Sequence, residues 1–259
     1  MQGLIDTHVH LEQLPDIEAS LARAQQAGLK ALIAVGQDQL ANESLFKFYL
    51  QSLKIEPKIY LALGIHPGNL ENLELAGALR FIEQGREHLV AIGEIGLDYW
   101  YPQARKDGPP RKRQQEVFAA QLDLAVRLGL PAIVHSRGAW SDCLRFLIER
   151  KVERGLFHWY SGPQDVLAEI INRGYIISAA PSAEYSKDHQ LAISNTPLDK
   201  IILETDSPVK YRPPSGDYDS EPKDIWRTLE AVAKIKNLPV DQVREETARN
   251  AEQFFGLRG

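Results

Sequence analysis

Short apolar runs rich in β-branched residues alternate along the chain with longer stretches whose apolar positions recur every three to four residues. The first pattern suits a buried strand and the second an amphipathic helix, so their alternation predicts βα units around a parallel sheet. Eight strand candidates stand out: GLIDTHV (3–9), KALIAV (30–35), IYLALGI (59–65), LVAIGEI (89–95), PAIVHS (131–136), GLFHWY (155–160), GYIISA (174–179) and KIILETD (200–206). Helical runs such as IEASLARAQQAG, RQQEVFAAQLDLAVRLG and VLAEIINRG lie between them, and Gly28, Gly129 and Gly174 read as their C-terminal stops. Two further helices are predicted over 221–237 and 240–256, parted by Pro239. The chain has 259 residues, and a (β/α)8 TIM barrel uses about 250. One α/β barrel domain over 1–259 is therefore expected.

Composition narrows the class. Hydrophobic residues make up 44% and charged residues 25%, an ordinary globular balance that excludes disordered and fibrous chains. The apolar runs stop far short of the roughly 18 residues a membrane span needs. MQGLIDTHVH shows no basic stretch before an apolar segment and no small-residue cleavage site, so no secretory signal is expected. Cys143 is the single cysteine. It cannot form an internal disulfide and points to a reducing compartment, the cytoplasm. Its helical setting, AWSDCLRFLIER, predicts a buried structural thiol. A net charge of −5 argues against broad adhesion to nucleic acid or anionic membrane, so an anionic substrate must be drawn by local charge.

Local charge has an obvious candidate. His8 and His10 flank Val9 in the first strand, and two-residue alternation puts both imidazoles on one side. Glu94, His135, His158 and Asp206 fall at the ends of the fourth, fifth, sixth and eighth strand candidates. In a βα barrel those ends form one face. Carboxylates and imidazoles gathered there are costly to desolvate without a partner, which predicts metal binding. Four neutral histidines and two carboxylates can hold two divalent ions if one carboxylate is shared, leaving a site charged about +2 that suits an anionic ester. The candidates are zinc, manganese, magnesium, cobalt, nickel or iron, and imidazole-rich ligation disfavours calcium. A helix N-cap is the other reading of Asp206, with Pro208 close behind.

These motifs resemble the TatD family of metal-dependent hydrolases, deoxyribonucleases within the amidohydrolase superfamily. The resemblance runs through IDTHVHL (5–11), GIHP (64–67), GEIGLDY (93–99), LPAIVHSR (130–137), HWYSG (158–162) and ETDSP (204–208) to TARNAEQFFGL (247–257). It implies a βα barrel with His8 and His10 at one metal, His135 and His158 at the other, Glu94 bridging them and Asp206 completing the first site. It also implies that Asp206 accepts the proton of the attacking water. His66 would contact the substrate phosphate or protonate the leaving oxygen. Two positions depart from the family: Gly68 stands where a second histidine is common, and Trp159–Tyr160 where cysteine and phenylalanine are common.

The remaining residues divide less sharply. By strand alternation Tyr160 shares the inward side with His158, where it either packs or stacks on a base, while Trp159 faces the helix layer. Glu204 lies on the Asp206 face one layer deeper, placed to orient a histidine ligand or to form a salt bridge. Asp98 either contacts Arg137 or binds loop backbone. His88 and His189 are read as structural or solvent-exposed. The run RKDGPPRKR (105–113) carries a local +4 after the fourth strand, with its helix beginning near Arg111. It is either a solvated loop or a grip on the phosphates of a polymer. The expected function is a metal-dependent phosphodiesterase acting on DNA from a single-stranded end, because a barrel mouth is a pocket. The alternatives are hydrolysis of the D-aminoacyl-tRNA ester, hydrolysis of a cyclic amide, and a non-catalytic metal or nucleic-acid binding protein.

Overall fold

The parallel strands β1 (Leu4–Val9), β2 (Leu29–Val35), β3 (Lys58–Leu63), β4 (Leu89–Gly96), β5 (Ala132–His135), β6 (Gly155–Phe157), β7 (Ile176–Ala179) and β8 (Ile201–Leu203) pair in chain order. The circle closes just beyond β8 and β1. Val9 bridges Ser207, His10 N–H donates to the Ser207 carbonyl at 2.9 Å, and Asp206 N–H donates to that of His8 at 3.0 Å. This computed structural model describes residues 3–257, and residues 1–2 and 258–259 of the expected domain lie outside the described residues.

Helices α1 (Ile17–Gln26), α2 (Gln39–Gln51), α3 (Leu75–Gln84), α4 (Pro109–Leu128), α5 (Trp140–Glu149), α6 (Gln164–Asn172) and α7 (Lys187–Asn195) follow β1 to β7. After β8 a short hairpin, Lys210–Tyr211 with Tyr218–Asp219, leads into α8 (Ile225–Lys236) and α9 (Val240–Phe255). Asp16 and Asp38 cap α1 and α2 by accepting from Ala19 N and Ala41 N at 3.0 and 2.8 Å. Gly28, Gly129 and Gly174 take positive φ after α1, α4 and α6, as the stops required.

Two apolar layers hold these elements together. Leu32, Leu61, Val134 and Phe157 point outward and meet helical residues such as Leu45, Ile82, Phe118 and Leu147. Inside the barrel, Ile5, Ile33, Ala62, Ala91, Ile133, Leu156, Ile176 and Ile202 form a plug against Ala248, Ala251 and Phe255 of α9. Strict alternation carries the inward face from Ile133 to His135 and from Leu156 to His158. In β1 and β4 it fails. Ile5 and His8 both face inward though three residues apart, and so do Ala91 and Glu94. Register shifts between Asp6 and Val9 and between Ile92 and Ile95 absorb the odd residue. Irregularities of this kind re-aim a side chain next to a functional site.

His189, in α7, is wholly buried, so of its two expected settings the structural one holds. Its Nδ1–H donates to the Tyr160 carbonyl at 2.7 Å and its Nε2 accepts from Ala180 N at 3.0 Å. His189→Leu orphans both groups and is expected to cost about 2–6 kcal/mol, at about 1–3 kcal/mol each. Burial also lowers the pKa of this imidazole, against weaker opposing effects of the Tyr160 carbonyl and Glu204. Its contribution is therefore present above the ordinary value near 6.5 and lost as pH falls, because the unfolded chain takes up a proton the folded one refuses. Urea unfolding with chelator present, from pH 7.5 to 5.5, should show a shallower fall for His189→Leu than for wild type. Parallel curves would refute the assignment.

Candidate metal centre

The centre begins with an imidazole that nothing in the chain satisfies. His8 is fully buried, and neither its Nδ1 nor its Nε2 has a hydrogen-bond partner. A buried lone pair left this way is costly unless it meets a cation. Its Nε2 lies 3.6 Å from Glu94 Oε2 and 3.7 Å from Asp206 Oδ1. His10 Nε2 faces the same two oxygens at 3.5 and 3.4 Å, while its Nδ1–H donates to the Val35 carbonyl at 3.0 Å. That bond fixes the ring and leaves Nε2 as the coordinating atom.

The other oxygen of Glu94 faces a second pair. Glu94 Oε1 is 2.8 Å from both His135 Nδ1 and His158 Nε2. Each ring is held from behind by a carboxylate. Asp98 Oδ2 accepts from His135 Nε2–H at 2.9 Å, and Glu204 Oε1 accepts from His158 Nδ1–H at 3.4 Å. Three overlapping sets, His8 with His10 and Glu94, His8 with His158 and Glu204, and His66 with Glu94 and His135, keep their ligand atoms within 4.8 Å of one another. The other five sequence candidates thus gather around Glu94, four histidines facing it directly and Asp206 through His8 and His10, and the donor set fits divalent transition metals.

Electrostatics agree with that geometry. Burial opposes ionisation of Glu94, yet the charged His158, with hydrogen bonds from His135 and His158, holds its carboxyl well below the usual range. Asp206 is likewise lowered, burial being outweighed by its hydrogen bond from His10 and by the surrounding imidazoles. The carboxylates in turn overcome burial at His10, pushed up to about 9, and raise His135 and His158. His66 goes the other way. Burial, aided by the neighbouring imidazoles, lowers it to about 3 against the pull of Glu94, so its ring is neutral. Gly68 N–H donates to His66 Nδ1 at 3.0 Å, so the ring proton sits on Nε2, 3.7 Å from Glu94 Oε1. With its proton on Nε2, His66 presents a hydrogen-bond donor on that side of Glu94.

Close backbone approach places Glu94. A Cβ on Gly64 would lie 2.7 Å from the Glu94 carbonyl oxygen, and one on Gly96 would lie 1.9 Å from that of His135. Glycine at both positions lets β3 and β5 crowd the turn of chain that carries the shared carboxylate. Gly68 has a different neighbour. A Cβ there would stand 2.8 Å from the Tyr101 hydroxyl, which fills the space beside His66 that a second histidine would need.

Several expectations need correction. Asp206 caps no helix: the chain turns there at φ 51° and runs into the hairpin. Strand β6 ends at Phe157, and Trp159 adopts φ 44°, so alternation does not extend to Tyr160. Tyr160 is buried with its hydroxyl donating to the Pro163 carbonyl at 2.7 Å, which leaves no face for a base. Trp159 packs on Tyr211 at 5.3 Å, away from the helix layer where it was expected. Helix α4 starts at Pro109, two residues early. Arg111 is occupied within the loop: it donates to the Ala104 and Arg105 carbonyls at 3.0 Å and lies 3.8 Å over the Tyr99 ring. Lys106 and Lys112 remain exposed. Cys143 is a buried structural thiol, as expected, with its Sγ 3.5 Å from the His135 carbonyl.

Two residues were missed or left open. Asp6 is fully buried; its Oδ2 accepts from Thr205 Oγ1 at 2.6 Å and its Oδ1 from Thr205 N at 2.9 Å and His8 N at 3.3 Å. It ties the His8 backbone to the segment carrying Asp206. An aspartate inside an apolar strand was the signal, since a buried carboxyl must find donors. Asp98 accepts from Arg137 Nε at 2.8 Å and from Trp100 N at 2.9 Å as well as from His135, so both readings left open for it hold together.

Comparison with known proteins places the chain among its relatives. The chain is 33% identical to deoxyribonuclease TATDN3 of Homo sapiens over 98% of this chain and 94% of that protein. It is 29% identical to the metal-dependent hydrolase YabD of Bacillus subtilis, over 98% and 99% of the two chains. The crystal structure of YjjV, a TatD homolog from Escherichia coli, superposes with a TM-score of 0.85 at 28% identity, covering 98% of each chain. No helix among the described residues is long and apolar enough to cross a membrane. The family profile described as TatD related DNase matches residues 5–256, and the chain belongs to that family.

Proposed function

We propose that the protein is a metal-dependent deoxyribonuclease that hydrolyses phosphodiester bonds from a single-stranded DNA end and holds two divalent ions. The observation that carries this reading is the division of Glu94, whose Oε2 faces His8 and His10 while its Oε1 faces His135 and His158. Divalent ions held there would lower the pKa of a water and offset charge growing on the phosphoryl oxygens. The chain does the rest. Asp206 accepts the proton of the attacking water, and His66 offers its Nε2–H to a phosphoryl or leaving oxygen on the other side of Glu94. Asp98, Glu204 and the Val35 carbonyl keep the imidazoles aimed. The deoxyribonuclease name of the human relative favours DNA, and the lone buried Cys143 supports action in the cytoplasm.

Elemental analysis after loading is expected to saturate at about two ions per chain, with hydrolysis lost on chelation. Saturation at one ion with full activity would overturn the shared-carboxylate arrangement. Substrate class is read by assaying the loaded protein side by side on single-stranded DNA, duplex DNA, RNA and D-aminoacyl-tRNA. Fastest turnover on single-stranded DNA is expected; fastest turnover on the aminoacyl ester would move the assignment to a deacylase.

A further inference from the structure

Beyond the metal ligands, the barrel mouth is lopsided. On the side of β2 and β3, a cleft of about 690 Å³ beginning at Gly68 is lined by Asp38, Glu71 and Glu74. A polyanion is repelled there. On the side of β4 and β5, Arg137 lies between Tyr101 and Trp100, with its guanidinium 5.3 and 5.9 Å from their ring centroids. Both nitrogens it turns to Asp98 bind the same oxygen at 2.8 Å. That carboxylate also orients His135.

Trp100 is the conspicuous member of the group. It is 56% exposed, an expensive position for the largest aromatic side chain. It is nevertheless held firmly. Its N–H donates to Asp98 Oδ1 at 2.9 Å, and its carbonyl accepts from Arg105 Nε at 3.2 Å. The indole rests on Gly138, where a Cβ would come within 2.4 Å of its Cδ1, and meets Trp140 edge-on at 6.0 Å. One face is thus supported by protein while the rest of the ring meets solvent. The chain spends rigidity on an aromatic surface that the fold itself does not use.

We propose that Trp100 is a stacking platform for the unpaired nucleobase next to the scissile phosphate, with Arg137 contacting an adjoining phosphate. This rests on the deoxyribonuclease reading and deepens it. Base–aromatic stacking tolerates any sequence because every base offers a π-face. A duplex keeps those faces buried against neighbouring pairs, so the platform selects single strands without reading sequence. Its link to His135 through Asp98 keeps base and metal ligand in fixed relation.

The test compares loaded wild type, Trp100→Ala and Trp100→Phe on a single-stranded oligodeoxynucleotide, and on the same oligonucleotide made abasic at the nucleotide adjoining the cleaved bond. Trp100→Ala is expected to raise KM about tenfold on the natural strand, the scale of one base stack, with kcat changed less than about twofold. Trp100→Phe should recover most of that loss. On the abasic strand the penalty of Trp100→Ala should shrink to under about threefold, because the stack is already missing. Equal penalties on the two strands, or none on the natural one, overturn the platform. Unchanged kinetics with weakened self-association of Trp100→Ala would assign the indole to a second copy of the chain instead. If wild type cleaves no oligonucleotide, the deoxyribonuclease reading falls first and the platform with it. If wild type cleaves and Trp100→Ala cleaves equally well, only the platform falls.

Discussion

Glu94→Gln is expected to empty both metal positions together and to remove hydrolysis. The substitution keeps shape but removes the charge that faces His8 and His10 through one oxygen and His135 and His158 through the other. One end of the amide also presents N–H donors to imidazole nitrogens that must themselves donate lone pairs. Of the six candidate ligands only Asp206 then remains anionic. Losing an outer partner of a ligand costs about 10–100-fold in metal affinity, and losing the shared ligand should exceed that for each ion. His135→Ala is the contrast, since it leaves His8, His10, Glu94 and Asp206 intact and should empty mainly one position. Elemental analysis of both variants at equal loading distinguishes them. Two ions retained by Glu94→Gln would remove the shared carboxylate from the site.

Asp206→Asn should separate proton transfer from binding. Asparagine keeps an oxygen in place and tolerates the left-handed backbone that the residue adopts at φ 51°, so the local fold survives. What it loses is basicity. Turnover on an oligonucleotide is expected to fall about 10²-fold or more, the scale of a general base, with KM changing much less. Its carboxyl is held below the usual range, so it can deprotonate only a water that has itself been acidified. Turnover close to wild type with full metal content would take the base role away from Asp206, and His66, with its proton on Nε2 and Nδ1 engaged by Gly68 N–H, is not placed to assume it.

The eight strands and the gathering of six candidate ligands at one mouth were legible because residue type and position reinforce one another. An imidazole or carboxylate at the end of a β-branched run has few other uses when six of them fall on one barrel face. Legibility failed where the backbone leaves its period. Tyr160 and Trp159 were assigned by alternation, but β6 stops at Phe157 and the chain turns at Trp159, so their settings differ from those expected. Arg111 counted toward a free positive charge until the carbonyls of Ala104 and Arg105 were seen to hold it. A sequence reports the charge and not the acceptor waiting for it. Asp6 stayed hidden for the same reason, because its donors come from a segment some 200 residues away, |i−j| being 199.

A barrel redesigned for stability alone would lose this centre without any clash to give warning. Ironing out the irregularity at the present strand length, so that β1 pairs in unbroken register from Ile5 to His8 or β4 from Ala91 to Glu94, would return the strand to step with its neighbour and restore ladder pairing. The same change rotates every later side chain of that strand by half a turn. His8 and His10, or Glu94, would then point into the apolar layer under the helices, and side chains now facing that layer would point into the mouth. Selection for heat resistance would welcome the regular strand, while selection for catalysis must keep the irregular one. Stabilising screens on this scaffold therefore need an activity readout at these two positions, where the better-paired sheet is the inert one.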